Sequence, residues 1–235
     1  NRYAPLQDKR ILDVGCGLGM YVRAMRDFSP DVYGVDIDCE KVDKISAELP
    51  NIQVSPAEKL PFADGFFDVI LSHEVIEHVD DDAQAIREAC RCLKPGGRLV
   101  VFCPNRLYPF ETHGVYIGKR YIFGNIPLVN WLPDALRKRF APHVRAYTTR
   151  GLRRLFANET GRFVVHTQVY PGYDNIVARR PRLGKVLRTI TYALLTAGAF
   201  LARDGHTVTV YEQYPEPGGV TATISKDGFA WDLGP

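Results

Sequence analysis

The chain lacks any hydrophobic run long enough to cross a bilayer. Its longest mostly apolar stretch, Ile190 to Ala202, falls short of the ~20 residues that a spanning helix needs and reads as a packed helix. A disulfide or zinc framework is also missing. The five cysteines, Cys16, Cys39, Cys90, Cys92 and Cys103, are odd in number and have no zinc-ribbon spacing, so no metal site is expected. Cys90-Arg-Cys92 reads as two reduced thiols on a helix, and a reducing cytoplasm is the compartment that fits. No signal peptide is visible, and no repeat or low-complexity segment appears. A formal net charge of +3 is too small to argue for a nucleic-acid partner.

What remains is an ordinary globular composition. Of the 235 residues, 46% are hydrophobic and 24% charged, which is typical of soluble domains. A chain of this length buries roughly 70% of its unfolded surface, so a substantial core is expected.

Strands and helices alternate over the first two thirds. "RILDV" (Arg10 to Val14), "DVYGVDID", "NIQVS", "FFDVILS" and "RLVVFCP" read as strands. "MYVRAMRDF", "EKVDKISAEL" and "DDAQAIREACRCL" read as helices, the last ended by the stop signal "KPGG". Such alternation predicts a parallel sheet with helices on both faces. The first strand runs into Asp13-Val14-Gly15-Cys16-Gly17-Leu18-Gly19, and about 20 residues later "YGVD" closes on Asp36. Glycines let the backbone turn sharply and approach a ligand, and an acid at the end of strand two can accept both hydroxyls of a ribose. Strand, glycine loop, helix and spaced acid together point to a nucleotide-type cofactor.

"ILDVGCGLG", "YGVDID", "AEKLPFADGFFDVILSHEVIEHV" and "LKPGGRLVVFCPN" resemble the ordered motifs of class I S-adenosylmethionine-dependent methyltransferases, nearest to the small-molecule branch that includes quinone-biosynthesis enzymes. The resemblance covers about residues 1 to 180. It implies an α/β, Rossmann-like fold with a seven-stranded, mostly parallel sheet whose last strand is antiparallel. It also implies S-adenosylmethionine as cofactor and methyl transfer to a small-molecule or lipid-like acceptor. By the same resemblance Asp13, Gly15, Gly17 and Gly19 hold the methionine end, Asp36 binds the ribose and Ile37 packs on the adenine. Ala57 and Glu58 lie beside the adenine edge, and Ser72 and His73 close strand four near the sulfonium. Relatives usually carry an acid just before "AE"; here Pro56 stands in its place, so that adenine contact is lost or moved.

In-line displacement from a sulfonium mainly requires alignment, and a base only where the acceptor must lose a proton. Among six histidines, His113 is the leading candidate for that role and His73 the second. His113 sits beyond strand five, where ligands of such sheets gather. His78, next to Glu77, reads as a support of the turn after strand four. The insert that holds His113, between Asn105 and Trp131, also carries Tyr108, Phe110, Tyr116, Tyr121, Phe123 and Trp131. Two readings stand: a lid over an apolar acceptor or a helical cap with its own small core.

Between Arg137 and Arg188 thirteen Lys or Arg face only Glu159 and Asp174. A solvated basic face explains this; so would attraction to an anionic acceptor or to an acidic membrane surface. "RFVVHTQVY" (Arg162 to Tyr170) reads as strand six.

The tail differs. "LARDGHTVTVYEQYPEPGG" with "DGFAWDLGP" resembles the start of flavin-dependent desaturases and amine oxidases such as phytoene desaturase, over about residues 196 to 235. The G-x-G-x-x-G that would hold a pyrophosphate before Glu212 is absent, so a working flavin site is not expected. The seam near Ala193 to Ala197 looks like two reading frames fused, or an assembly error. Residues 1–195 are thus expected to form the methyltransferase domain, with 105–135 its substrate cap, and 196–235 a truncated dinucleotide-binding fragment. Its strand His206 to Glu212 is expected to fill the slot of the last sheet strand, leaving Gln213 to Pro235 loosely held. A cofactor-binding but inactive fusion is the alternative to an active methyltransferase.

Overall fold

The computed structural model describes residues 3–164, 177–178, 180–187, 189–190, 222–226 and 229–233. They fall into two units, Asn1–Phe163 and Val164–Pro235.

In the first unit β1 (Ile11–Val14), β2 (Val32–Asp36), β3 (Ile52–Val54), β4 (Phe67–His73) and β5 (Leu93–Phe102) form one sheet in the order β3-β2-β1-β4-β5. Every neighbouring pair is parallel. The helices between them are α1 (Met20–Arg26), α2 (Cys39–Ser46) and α3 (Asp82–Cys92). The pleat explains how both faces become core, because successive side chains point to opposite sides. Ile11 joins Val22 and Met25 of α1 and Val42 and Ile45 of α2. Its neighbour Leu12 joins Ala85 and Ala89 of α3 with Phe67 and Ile70. Asp38 and Asp81 cap α2 and α3 by accepting backbone N–H groups of the first turn. The order in which strands are added to the sheet reverses at β1, whose neighbours are β2 and β4. The carboxyl ends flanking that point are where such sheets take ligands.

Two differences from the sequence reading concern strand five and the sheet size. "KPGG" does follow the end of α3, but strand five starts earlier than the expected Arg98. β5 begins at Leu93, opposite Phe67, and the ladder shifts register before Val69 meets Arg98. Lys94 to Gly97 takes up that irregularity, with Gly96 at φ 78°. The described sheet has five strands. Most of the expected strand six, from residue 165 onward, and the whole strand 206–212 lie outside the described residues; residues 162–164 are not in a strand.

Beyond β5 the chain builds a compact insert: β6 (Phe110–Glu111) against β9 (Ile126–Pro127), and β7 (Val115–Ile117) against β8 (Arg120–Ile122). A 3-10 turn, Val129–Trp131, and α4 (Asp134–Phe140) follow. Its centre is polar. The Arg137 guanidinium, 4% exposed, donates to Glu111 at 2.6 Å, to the Asn130 side chain and to the Val144 carbonyl. Val115, Val129, Ala141 and Val144 are buried with it, whereas Ile117, Phe123, Leu128 and Trp131 are exposed. The insert therefore has its own small core and also an apolar outer surface. After it, α5 (Thr149–Leu155) follows.

The strap before α5 fastens the insert region to the turn after β4. Arg145 N–H donates to the Glu77 carbonyl, its guanidinium to the Val79 and Asp80 carbonyls, and the Tyr147 hydroxyl to Ile76 and Asp82. Arg137 and Arg145, two of the thirteen bases in the cationic stretch, are thus structural.

In the second unit, residues 181–187 are helical, and β10 (Ala222–Lys226) pairs antiparallel with β11 (Phe229–Leu233). The sequence reading places no element at that hairpin. No helix among the described residues is long and apolar enough to cross a membrane.

Candidate functional site

The glycine loop leaves β1 with three left-handed residues, Gly15 (φ 73°), Gly17 (φ 53°) and Gly19 (φ 76°). A side chain at Gly15 would collide with Val75 from the turn after β4, while the space around Gly17 is open. Gly17 N–H donates to the Asp36 carboxylate at 2.7 Å, and Asp38 N–H donates to its other oxygen at 2.9 Å. β2 thereby fixes the loop that follows β1.

Asp13, at the end of β1, is 1% exposed, and its Oδ2 has no hydrogen-bond partner. Burial, reinforced by the nearby Asp36 charge, pushes its carboxyl up to about 8. Ser72, across the β1–β4 ladder from Val14, also holds a buried hydroxyl without a partner. Native interiors rarely leave such groups unpaired, so both are ready to meet a polar ligand. Apolar surface lies beside them: Leu18 and Met20 at the loop and Ile37 after β2 are all exposed, Ile37 by 74%. An orphaned buried acid, an open glycine cradle and uncovered apolar side chains fit an amphiphilic ligand such as S-adenosylmethionine.

The remaining expected residues divide. Ala57 is buried close to Val35 in the core facing α3. The Glu58 carboxylate is taken up at the entry to α3, accepting from Asp80 N–H at 2.9 Å and more weakly from Asp81 N–H. The His73 ring lies between Tyr21 and Phe102, with centroids 4.9 and 5.1 Å away, and burial lowers its pKa.

His113 belongs to a second group of charges. Its Nδ1 is 3.2 Å from Glu111 and its Nε2 3.3 Å from Glu74. Those two carboxylates raise the imidazole pKa to about 9. His113 is then a cation at neutral pH, which is the wrong form for the free base expected from its position. Although burial opposes it, the hydrogen bond from His113 holds Glu74 low. Glu77, fully buried beside Glu74, is pushed up to about 8 by burial and by the Glu74 charge. Burial lowers His78, whose ring meets that of His113 edge-on at 5.3 Å. Glu74, Glu77, Glu111 and Arg137 were not expected at the site. Glu74-x-x-Glu77-His78, at the exit of a strand that ends beside the glycine loop, was the available signal.

Residues 12–101 match the methyltransferase domain family, and residues 193–235 match the NAD(P)-binding Rossmann-like domain. The second match begins where the sequence changes character. The chain is 39% identical over 154 residues to a ubiquinone/menaquinone biosynthesis C-methyltransferase of Geotalea daltonii, covering 57% of this chain and 65% of that one. It is 32% identical over 135 residues to a ubiquinone biosynthesis O-methyltransferase of Paracidovorax citrulli, covering 53% and 55%. The chain spans about half the length of the curated relatives it matches, from 38% to 65%. An S-adenosylmethionine-dependent methyltransferase of Mesorhizobium loti shares the fold at a TM-score of 0.55 and 23% identity, over 78% of this chain and 88% of that one. Residues 12–101 accordingly resemble the methyltransferase domain family, and the sheet that carries them has the Rossmann-like fold of that solved structure.

Proposed function

We propose that the protein transfers the methyl group of S-adenosylmethionine to a small-molecule or lipid-like acceptor at the carboxyl edge of β1, β2 and β4. The observation that carries this reading is the unpartnered, buried Asp13 oxygen beside the Gly15–Gly19 cradle that Asp36 holds in place. When bound, the cofactor supplies a methyl group already activated on a sulfonium. The protein's part is placement. Asp13 and the loop N–H groups would take the amino-acid end, Asp36 the ribose, and exposed Ile37 the base. His73, its ring tilted against those of Tyr21 and Phe102, would wall the reacting end against water. Alignment of this kind can supply effective molarities of ~10⁵ to 10⁸ M.

The exposed Ile117, Phe123, Leu128 and Trp131 support an apolar acceptor under or beside the insert, and the two relatives named for ubiquinone biosynthesis agree in kind. The cationic stretch that includes Arg150, Arg153 and Arg154 supports a contact with an anionic membrane surface. Five free thiols support a cytoplasmic setting. The same reading takes residues 1–195 as the catalytic domain, with strands 162–170 and 206–212 completing a seven-stranded sheet whose last strand is antiparallel. A cofactor-binding but inactive fusion is favoured by one observation, the match of residues 193–235 to a different family.

Calorimetry with S-adenosylmethionine and a radiolabelled methyl-transfer screen over phenolic, quinol and lipid acceptors separate these readings. Binding with turnover supports an active enzyme. Binding without turnover on any acceptor supports the inactive fusion, and absence of binding removes both.

A further inference from the structure

α5 carries charge that nothing among the described residues balances. A cavity of about 420 Å³ opens along this helix and the turn after it, lined by Thr149, Arg150, Arg153, Arg154 and Ala157. The three arginines stand at i, i+3 and i+4, so they share one face of the helix, and all are exposed. None has a carboxylate partner among the described residues. By contrast, Arg10, Arg23, Arg91, Arg106 and Arg137 each meet a carboxylate at 2.6 to 2.8 Å.

Helix electrostatics oppose this arrangement. Like charges three and four residues apart destabilise a helix, and Arg150 stands at those distances from both Arg153 and Arg154. Arg150 also lies in the first turn, where the helix dipole disfavours a cation. Arg153 and Arg154, in the last turn, suit the dipole, so the misfit belongs to Arg150. α5 has no buried residue whose packing could offset it. All three positions hold arginine and none lysine, and the planar guanidinium fork pairs with phosphate oxygens two at a time.

We propose that this face of α5 binds the phosphate monoester or diphosphate group of a soluble small molecule. Arg150, Arg153 and Arg154 hold the phosphate oxygens, with the exposed Thr149 hydroxyl as a further donor. Arg150 and Arg154 are about 6 Å apart along the helix axis, a span that a phosphate or diphosphate fills and a polymer overruns. The volume lies within the roughly 300 to 1,000 Å³ of small-molecule pockets, leaving room for the body that bears the phosphate. The site shares no residue with the glycine cradle or with the cluster around His113, and α5 packs beside α3. Its occupancy therefore stands apart from the methyl-transfer reading. It is a discrete phosphate site, distinct from attraction of the whole basic stretch to an anionic surface.

The test titrates the full chain with inorganic pyrophosphate by calorimetry at fixed ionic strength. One equivalent should bind. Arg150→Gln, Arg153→Gln and Arg154→Gln should each weaken binding about 10- to 150-fold, the range for a hydrogen bond between charged groups. Because α5 then loses a like-charge clash and no packing, Arg150→Gln should melt no lower than the natural protein when ligand-free. Arg150→Lys and Arg154→Lys keep the charge and lose the fork, so they should also bind at least about 10-fold more weakly. Lys119→Gln, in the exposed turn between β7 and β8, should bind pyrophosphate normally. Absence of stoichiometric pyrophosphate binding, or full binding by the Gln or the Lys variants at α5, overturns the site. Association with anionic vesicles by a chain that does not bind pyrophosphate leaves only a basic face and overturns it as well. Calorimetry of S-adenosylmethionine, expected to be unaltered in Arg150→Gln, tests the methyl-transfer reading separately.

Discussion

Gly17 and Asp36 are joined by a 2.7 Å hydrogen bond from backbone N–H to carboxylate. The bond crosses from the loop after β1 to the end of β2, two strands paired in parallel from Ile11 with Val32 to Val14 with Val35. Asp36 is therefore both a proposed ligand to the ribose and a fastener of the loop that would receive the rest of the cofactor.

Asp36→Ala should weaken S-adenosylmethionine binding. Hydrogen bonds to a charged acceptor contribute ~1.5 to 3 kcal/mol, which corresponds to roughly a 10- to 150-fold loss of affinity. Calorimetry gives the number, and circular dichroism should show a folded protein. Affinity unchanged in the variant removes Asp36 from the site.

Asp13 yields a prediction in pH. Its carboxyl rises from the usual range to about 8 in the folded chain. Between about pH 4 and 8 the unfolded chain has lost that proton and the folded chain retains it, so folding stability falls as pH rises through this window. Asp13→Asn abolishes the term. The ligand-free variant should match the natural protein near pH 4 and melt several degrees higher at pH 8, while binding S-adenosylmethionine more weakly. Melting curves that stay parallel from pH 4 to 8 would show that Asp13 is solvated or paired.

His113→Ala should lower turnover more than it lowers cofactor affinity, because the imidazole touches Glu74 and Glu111 and lies outside the glycine loop. A loss of roughly 10²-fold or more is in the range for a protonated imidazole that donates a hydrogen bond or a proton to the acceptor. Turnover that survives intact would leave His113 a structural member of the insert.

The parallel core was legible because each of its rules is local. Ile11 and Leu12 alternate in the sequence and end in opposite cores, and Asp38 and Asp81 announce the helices they cap. The glycine loop after β1 and its approach to Asp36 were legible for the same reason, since Gly15 to Gly19 and Asp36 are tied by a fixed strand–loop–helix spacing. The second charge cluster was not. Glu111 and Arg137 stand 26 residues apart, and Glu74 meets His113 only after the insert has folded back over the β4 exit. No periodicity encodes that approach. "KPGG" marked the end of α3 to within a residue, but a helix-stop signal does not say whether the next residue already pairs, as Leu93 does with Phe67.

Arg137 and Glu111 offer the most severe test of how the insert is built. Their side chains are 5% and 1% exposed and 2.6 Å apart, and the guanidinium also binds Asn130 and the Val144 carbonyl. Breaking a buried pair from one side strands the other charge, which costs about 3–5 kcal/mol, whereas replacing both by apolar groups can be nearly neutral. Arg137→Met should therefore lower the melting temperature sharply, and Arg137→Met with Glu111→Leu should recover part of the loss. Recovery of stability must not bring recovery of function, because the double variant still lacks the carboxylate behind His113. A double variant that regains both stability and turnover would show that the pair only holds the insert together. One that regains stability alone places Glu111 in the orientation of His113.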